Sequence, residues 1–343
     1  MMRLPLPWLF ALTGGALALL LVGSLATGPM ALSLGESLRA LFAGQESGIE
    51  AHKLLIVQEI RLPRTLLCIA VGGILGLCGA VMQGLFRNPL ADPGIIGVSG
   101  GAALGAALAI VLLAPLGQQW QSLLGIGLLP LLAFLGGALT TTLVYLLGTR
   151  EGGTSVTVML LAGVAITALS GAVIGLLTYL ADDQMLRNLS LWQMGTLAAG
   201  KPVDVALALA TLVVLLLLFM RDANPLNALL LGEGEARHLG VNVQSLKRRL
   251  ILLTAAGVGV AVAVAGMIGF VGLVVPHLVR LLAGPNHVRL LPLSALLGAA
   301  LLLGADMLAR TLLAPAELPV GIITALLGAP FFIWLLVKGR RTL

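Results

Sequence analysis

Long uninterrupted runs of apolar residues dominate this sequence. The ranges 4–35, 65–86 and 93–149 contain no Asp, Glu, Lys or Arg. A bilayer-spanning helix needs about 20 apolar residues, each adding about 1.5 Å along the axis. The last range is therefore long enough for two spans and the turn between them. Because soluble helices are rarely apolar on every side, the pattern predicts a polytopic membrane protein.

The same runs favour helices over a membrane barrel, whose strands would alternate apolar and polar residues in segments of about ten. The 44 glycines and 16 prolines suit membrane helices, where small residues allow close helix approach. The predicted fold class is an all-α polytopic bundle. The segment 189–199 is too short to cross and is predicted to be a re-entrant or interfacial helix. We place ten transmembrane helices at 8–27, 65–86, 94–114, 123–147, 155–180, 203–220, 248–265, 267–283, 290–312 and 318–337.

The stretch 250–279 could also be one long helix. A turn bracketed by Gly266 and Gly269 would divide it into two short spans. The division places the basic cluster 247–249 on the same side as Arg280, as the positive-inside rule favours. We therefore predict two spans.

Basic residues predict the orientation. With ten spans both termini lie on one side, and thirteen of the 20 Lys and Arg residues fall on that side, which we assign to the cytoplasm. The formal net charge of +6 then reflects membrane orientation, and a nucleic-acid partner is not expected. The lipid bilayer is the expected surrounding.

Four ordered segments resemble the FecCD family, the permease subunits of iron-siderophore, haem and vitamin B12 ABC importers. The resemblance extends from about residue 55 to the C-terminus, with the same order and spacing of spans. The first segment consists of 61–64, 79–84 and 88–93. The second is 231–240, the third is 266–277, and the fourth consists of 317–321 and 328–332.

This resemblance implies a type II ABC importer permease in a bacterial inner (plasma) membrane, with one transmembrane domain over 1–343. Spans two to five and seven to ten start on opposite sides, which predicts an inverted repeat. Its expected function is to move a metal chelate from periplasm to cytoplasm by alternating access. The implied partners are a second copy of the chain in a homodimer, two copies of a cytoplasmic ABC ATPase, and a periplasmic substrate-binding protein. The sequence agrees that the chain is not itself an ATPase, because its Gly200-Lys201 pair lacks the remainder of a Walker loop.

The longest polar insertion, 221–249, is the predicted ATPase-coupling segment. A simple connector needs only a few residues, whereas a rigid lever needs an apolar face for its partner and a polar rim. The pattern predicts one or two short amphipathic helices ending at Gly240; a solvated loop is the alternative. By resemblance, the coupling residues are Leu231, Gly232, Glu233, Glu235, Ala236, Arg237, Leu239 and Gly240.

Arginines at the outer ends of spans are exceptions to the charge rule. By resemblance, Arg61, Arg64 and Arg310 would receive carboxylates from the two lobes of the binding protein. Snorkelling toward lipid headgroups is the alternative, or for Arg310 a pair with Asp306 one helical turn away.

A cytoplasmic gate is also implied by the resemblance. Its predicted residues could equally form an Asn-Pro turn and a helix cap. They are Asn88 and Leu90 after the second span, and Thr154, Ser155 and Thr157 at the start of the fifth.

Small residues recur every fourth position at 72, 76, 80 and 84, and at 97, 101 and 105, which predicts close helix packing; a lining for a narrow pathway is the alternative. No metal site or cofactor is predicted. For each of the four histidines a hydrogen-bonded structural role is expected, and a haem ligand is the alternative; His52 lies in the outer loop, and His238, His277 and His287 lie on the inner side.

The cargo is expected to be haem, because the whole chain is most similar in character to haem-uptake permeases; a ferric siderophore or cobalamin is the alternative. An ion-coupled secondary transporter is a more distant alternative function. It would need ionisable groups inside the membrane, and Asp306 is the only acid that the sequence places deep enough.

Overall fold

Helices account for nearly all of the regular structure in the computed structural model, which describes residues 5–30, 32–42, 50–113, 127–150, 153–198 and 200–339. A π-helical turn at Ile56–Arg61 and a 3₁₀ turn at Pro93–Ile96 precede two of the helices. Two short antiparallel strands, β1 (Thr149–Arg150) and β2 (Gly153–Thr154), form what we call the inner hairpin. The helices are α1 (Leu6–Ala26), α2 (Leu34–Phe42), α3 (Ala51–Leu55), α4 (Leu62–Leu85), α5 (Val98–Val111), α6 (Leu128–Gly148), α7 (Val156–Leu180), α8 (Asp183–Gln193), α9 (Pro202–Arg221), α10 (Ala223–Leu231), α11 (Glu233–His238), α12 (Val243–Ala265), α13 (Val271–Ala283), α14 (His287–Thr311) and α15 (Val320–Gly339).

Ten of the described helices correspond to the ten predicted spans. Seven of them, α1, α4, α6, α7, α9, α12 and α14, are long and apolar enough to cross a membrane. The other three, α5, α13 and α15, are shorter apolar helices. The predicted division of 250–279 is confirmed, because α12 ends at Ala265 and α13 begins at Val271. Residues 114 and 123–126, the edges of two predicted spans, lie outside the described residues. Following the predicted orientation, we call the end that carries α10 and α11 the inner end.

The centre of the bundle is α4, which is buried along almost its whole length. Its glycines allow neighbouring backbones to approach directly. A Cβ at Gly72 or Gly76 would collide with the carbonyl oxygens of Gly298 or Ser294 on α14, and one at Gly79 would collide with Gly272 on α13. The packing interpretation of this row of small residues is therefore confirmed.

A second close pair is formed by α5 and α6. A Cβ at Gly101 would collide with Thr140 and the carbonyl oxygen of Gly136, and one at Gly105 would collide with the carbonyl oxygen of Leu132. The second predicted row of small residues thus also serves helix packing.

The two halves of the bundle, α4–α7 and α12–α15, show the predicted inverted repeat. In each half the second helix is short, with 14 residues in α5 and 13 in α13. Each also follows an irregular segment that ends in the left-handed region, at Gly97 (φ 84°) and Phe270 (φ 67°). Short helices preceded by unwound backbone at matching positions are typical of repeat-built transporters.

The predicted short helix at 189–199 lies further toward the N-terminus than expected. The helix α8 covers Asp183–Gln193, because the Asp182 carboxylate accepts a hydrogen bond from Met185 N at 2.8 Å and caps it. The chain then turns back at Met194, whose carbonyl accepts from Gly321 N at 3.1 Å. Ala199, the last residue of the predicted segment, lies outside the described residues.

Candidate functional site

The predicted coupling segment forms two short helices at the inner end, as its pattern indicated. Gly232 separates α10 from α11 with φ 128°, a conformation that a residue with a side chain rarely adopts. Ala236, like Leu226 and Leu229, is buried toward the bundle. Leu231 and Leu239 are 69% and 63% exposed. The segment therefore has one apolar face packed on the bundle and a second left open.

Polar contacts at its start fix this segment to two spanning helices. The Asp222 carboxylate accepts from Arg249 Nε on α12 at 2.7 Å. The Asn227 side chain donates to Asn286 Oδ1 at 3.0 Å and accepts from His287 N at 2.8 Å, at the start of α14. These bonds hold the start of the segment against the first turns of α12 and α14.

The predicted coupling residues occupy different surroundings. Glu233 pairs with Lys247 at 2.6 Å, while Arg237 lies 3.8 Å from Glu233 with its side chain 61% exposed. Glu235 is exposed on the same helix, and Gly240 follows the end of α11 with φ 81°. The role of these residues toward an ATPase stays a prediction.

The predicted segment 221–249 is longer than the polar insertion in the structure. The spanning helix α12 begins at Val243, capped by Asn242, whose Oδ1 accepts from Ser245 N at 3.0 Å. The basic cluster 247–249 at the end of the predicted segment thus belongs to the first turns of a span.

The predicted gate residues make the contacts of a turn and a cap. Asn88 Oδ1 accepts from Leu90 N at 2.9 Å, closing its own turn, and Leu90 is exposed. Ser155 Oγ lies 3.5 Å from Val158 N at the start of α7, and Thr157 is exposed at the second position of that helix. Thr154 is buried at the end of β2. The gate itself stays a prediction.

An open groove of about 740 Å³ separates the inner hairpin from the coupling segment. The hairpin side is formed by Thr149, Gly153 and Thr154, together with Tyr145 near the end of α6. Arg237, Gly240 and the first turn of α12 form the opposite side. Of the predicted residues, Thr154 from the gate and Arg237 and Gly240 from the coupling set thus border the same space.

At the outer end, two of the three predicted docking arginines share one buried acid. Asp306 is fully buried and accepts from Arg64 Nε at 3.0 Å and from Arg64 Nη2 at 2.9 Å. It also lies 3.0 Å from Arg310 Nε, one helical turn away. Glu317 completes the cluster at 2.7 Å from Arg64 Nη1. We call these four residues the outer ion cluster.

Arg61 lies outside the outer ion cluster and is buried against the end of α1. Its Nη1 donates to the carbonyl oxygens of Leu25 and Ala26 at 2.7 Å each, where α1 ends. The last carbonyls of a helix lack partners within it, so a guanidinium group there satisfies them.

The three predicted docking arginines are buried in the fold. Arg61, Arg64 and Arg310 are only 4%, 7% and 2% exposed, and their donors are taken up inside the chain. The alternative of an Arg310–Asp306 pair is what the structure contains. Glu317 was not among the predicted site residues, although it opens one of the similar segments. The docking role remains a prediction that this arrangement of side chains does not support.

A cavity of about 270 Å³ lies between the two irregular segments of the inverted repeat. One wall carries Asp92, Pro93 and Gly94, and the other carries Met267 to Gly269. Asp92 Oδ1 accepts from Gly94 N at 2.7 Å. Asp92 is half-buried and faces this cavity, so the fully buried Asp306 is not the only acid that the bundle encloses at least in part. The sequence did not reveal this position because Asp92 lies in a turn outside the predicted spans.

Among the described residues, no group of three or more His, Cys, Asp or Glu side chains is arranged to hold a metal ion. Two of the histidines have structural surroundings. His287 Nδ1 lies 3.0 Å from Asn227 Oδ1, and its ring packs against Gly84, where a Cβ would collide with it. His52 lies 3.3 Å from Glu50 on the outer surface.

Comparison with known proteins identifies the relatives of this chain. The sequence profile of the FecCD transport family matches residues 16–338. The hemin transport system permease protein HmuU of Yersinia pestis is 47% identical over 328 residues, covering 95% of this chain and 94% of the relative. The cobalamin import system permease protein BtuC of Halobacterium salinarum is 45% identical, covering 87% and 77%. The vitamin B12 import system permease protein BtuC of Klebsiella pneumoniae is 42% identical, covering 97% and 94%.

Two solved structures share the arrangement of helices. One is described as an inward-facing conformation of a metal-chelate type ABC transporter; it superposes with a TM-score of 0.83 at 33% identity, over 97% of this chain and 99% of that chain. PsaBC from Streptococcus pneumoniae superposes with a TM-score of 0.58 at 21% identity, over 81% and 91%. The second similarity concerns the fold alone.

Proposed function

The chain belongs to the FecCD transport family, and from this premise we propose that it is the permease subunit of an ABC importer that carries haem into the cytoplasm. The observation that carries the proposal is the 47% identity to a hemin permease over 95% of this chain. Cobalamin is the second candidate cargo, because the cobalamin and vitamin B12 permeases are 45% and 42% identical. A ferric siderophore is the third.

We further propose that the permease works as a homodimer, with two copies of a separate ATPase at its inner face and a binding protein at its outer face. The exposed Leu231 and Leu239, surrounded by the exposed charges of Glu235 and Arg237, suit an ATPase groove that receives an apolar face with a polar rim. The bonds to α12 and α14 would pass the movement of the ATPase to the spans.

The proposed location is the inner membrane, with both termini in the cytoplasm. The excess of basic residues at the inner end supports this orientation. At the outer end, the binding protein would contact the surface above the outer ion cluster rather than its buried guanidinium groups.

The gate proposal rests on position. Thr154, Ser155 and Thr157 border the inner end beside the coupling segment, while Asn88 and Leu90 form a separate exposed turn. A narrowing at either place would close the path on the inner side.

An ion-coupled transporter is the competing function. It needs a titratable or ion-binding group that changes its partners during transport. In the outer ion cluster, the one fully buried acid, Asp306, is already paired with two arginines, which favours a structural role over ion coupling.

The decisive experiment is reconstitution of the permease in proteoliposomes with its cognate ATPase and binding protein. We expect ATP-dependent, vanadate-sensitive uptake of haem, and uptake of cobalamin and of a ferric siderophore at least about tenfold slower. Faster uptake of cobalamin would replace haem as the cargo. Uptake that persists without ATP and follows an ion gradient would overturn the importer proposal.

A further inference from the structure

Both backbone polar groups of Thr154 are bonded to side chains of α12. Its N–H donates to Gln244 Oε1 at 3.0 Å, and its carbonyl oxygen accepts from Lys247 Nζ at 3.2 Å. Thr154 ends the inner hairpin, so the hairpin is held to the first turns of α12 rather than lying free.

The same ammonium group is bonded to the coupling segment. Lys247 Nζ lies 2.6 Å from Glu233 Oε1, at the first position of α11. The Lys247 side chain is 3% exposed, whereas that of Glu233 is 32% exposed. A buried ammonium group needs hydrogen-bond partners to offset its lost hydration, and these two oxygens provide them. One side chain therefore joins three elements: α11, α12 and the inner hairpin.

The inner hairpin in turn sets the ends of two spans. It connects α6 directly to α7, and Ser155 N donates to the carbonyl oxygen of Gly148, the last residue of α6, at 2.8 Å. A shift of Thr154 would therefore move the inner ends of α6 and α7 together. Those ends carry the predicted gate residues Ser155 and Thr157.

From this geometry we propose that Lys247 is a positioning residue that transmits displacement of α11 to the inner hairpin and so couples the ATPase to the gate. The proposal rests on the proposed function and adds to it the connection between coupling and gating. Loss of Lys247 would leave the exposed side chains of Leu231 on α10 and of Glu235 and Arg237 on α11 in place, since the ammonium group bonds to Thr154 and Glu233 instead.

The test compares variants of the full permease, reconstituted with its ATPase and binding protein. Lys247→Met keeps the length of the side chain but removes both bonds, and Lys247→Arg retains a cation that can donate to both oxygens. Arg289→Met is the matched control, because it removes the same charge from an exposed position in the first turn of α14, outside both the coupling segment and the groove. Each is made alone and with Thr157→Cys, whose reaction with a thiol reagent is followed with and without ATP and vanadate.

We expect Lys247→Met to hydrolyse ATP at nearly the normal rate but to take up about tenfold less cargo per ATP, the size expected for losing a bond to a charged group. Its Thr157→Cys reactivity should no longer change with nucleotide. Lys247→Arg should restore most of both, and Arg289→Met should match the unsubstituted chain. A purely structural role would lower hydrolysis and uptake together and leave their ratio unchanged.

Normal uptake per ATP in Lys247→Met, with nucleotide-dependent reactivity of Thr157→Cys, would overturn the proposal. If Lys247→Met does not fold, Glu233→Gln carries the test, because Glu233 is partly exposed and its amide retains the shape; unchanged uptake per ATP would then count against the connection. Absence of vanadate-sensitive uptake in the unsubstituted chain would instead contradict the proposed function.

Discussion

At the scale of single residues, burial changes how the charged side chains at the outer end are interpreted. Arg64 and Arg310 are predicted docking groups for the binding protein. In the structure they form a buried cluster with Asp306 at the outer end. Burying several charges is tolerated only when each has partners, so removal of the shared acid is far more damaging than removal of a peripheral one.

Asp306→Asn should therefore unfold the permease more easily. The change leaves Arg64 and Arg310 without their common carboxylate, and the expected loss of stability is about 3–5 kcal/mol. Thermal unfolding in detergent measures it. Glu317→Gln is the control, with a loss of about 1 kcal/mol or less, because its side chain is 36% exposed. If Asp306→Asn unfolded normally but no longer bound the binding protein, the docking interpretation of these arginines would regain its support.

At the scale of helices, glycine positions decide which spans can touch. The backbones of α4 and α13 meet at Gly79 and Gly272, and the inverted repeat places this contact near the cavity between the two irregular segments. Close backbone approach is the main source of specific packing between helices in lipid, where the hydrophobic effect does not separate one apolar face from another.

Gly79→Ala should destabilise the bundle by about 1–3 kcal/mol, because the added methyl group must displace the backbone carbonyl of Gly272. The melting temperature in nanodiscs measures the effect. Gly171→Ala on α7 is the matched control, since a Cβ there has no neighbour within 4 Å among the described residues. Equal melting temperatures for the two variants would contradict the packing described here.

The coupling segment makes a prediction at the same scale. Glu235→Lys combined with Arg237→Glu keeps the net charge but reverses the pattern on the exposed side of α11. We expect ATPase binding to weaken about tenfold, or about 1.4 kcal/mol, through lost charge complementarity. Co-purification and titration of the ATPase measure it.

The control for that variant lies at the opposite, outer end of the bundle. Asp183→Lys combined with Arg187→Glu reverses an equivalent exposed pair on α8 at the outer end. It should leave ATPase binding unchanged. Equal weakening by both double variants would indicate a general effect of charge rather than a docking surface on α11.

The whole molecule has an orientation that labelling can test. Arg39→Cys on α2 should react with a membrane-impermeant maleimide in intact spheroplasts, whereas Gly234→Cys on α11 should react only in inside-out vesicles. Both positions are exposed, and the native Cys68 and Cys78 are buried, so they contribute no background. Labelling of Gly234→Cys from the outside would reverse the proposed orientation.

Sequence alone determined the spans, their number among the described residues and the break between α12 and α13. Each follows from local quantities: the length of an apolar run, the glycines at a turn and the positions of charges. The coupling segment was also recognisable, because a polar insertion with an apolar face stands out between two long apolar runs. The shift of α8 and the early start of α12 depended on caps at Asp182 and Asn242, which displace a helix end by several residues.

Tertiary structure decided which charges meet. Arg64 and Asp306 are 242 residues apart, and Lys247 and Thr154 are 93 apart, so no local pattern could pair them. The sequence shows only that an arginine stands at the end of a span, where snorkelling, docking and burial are all compatible with its chemistry. Burial separates these outcomes, because a charge removed from water must find its partners inside the fold, and the packing of distant helices determines which partners are within reach.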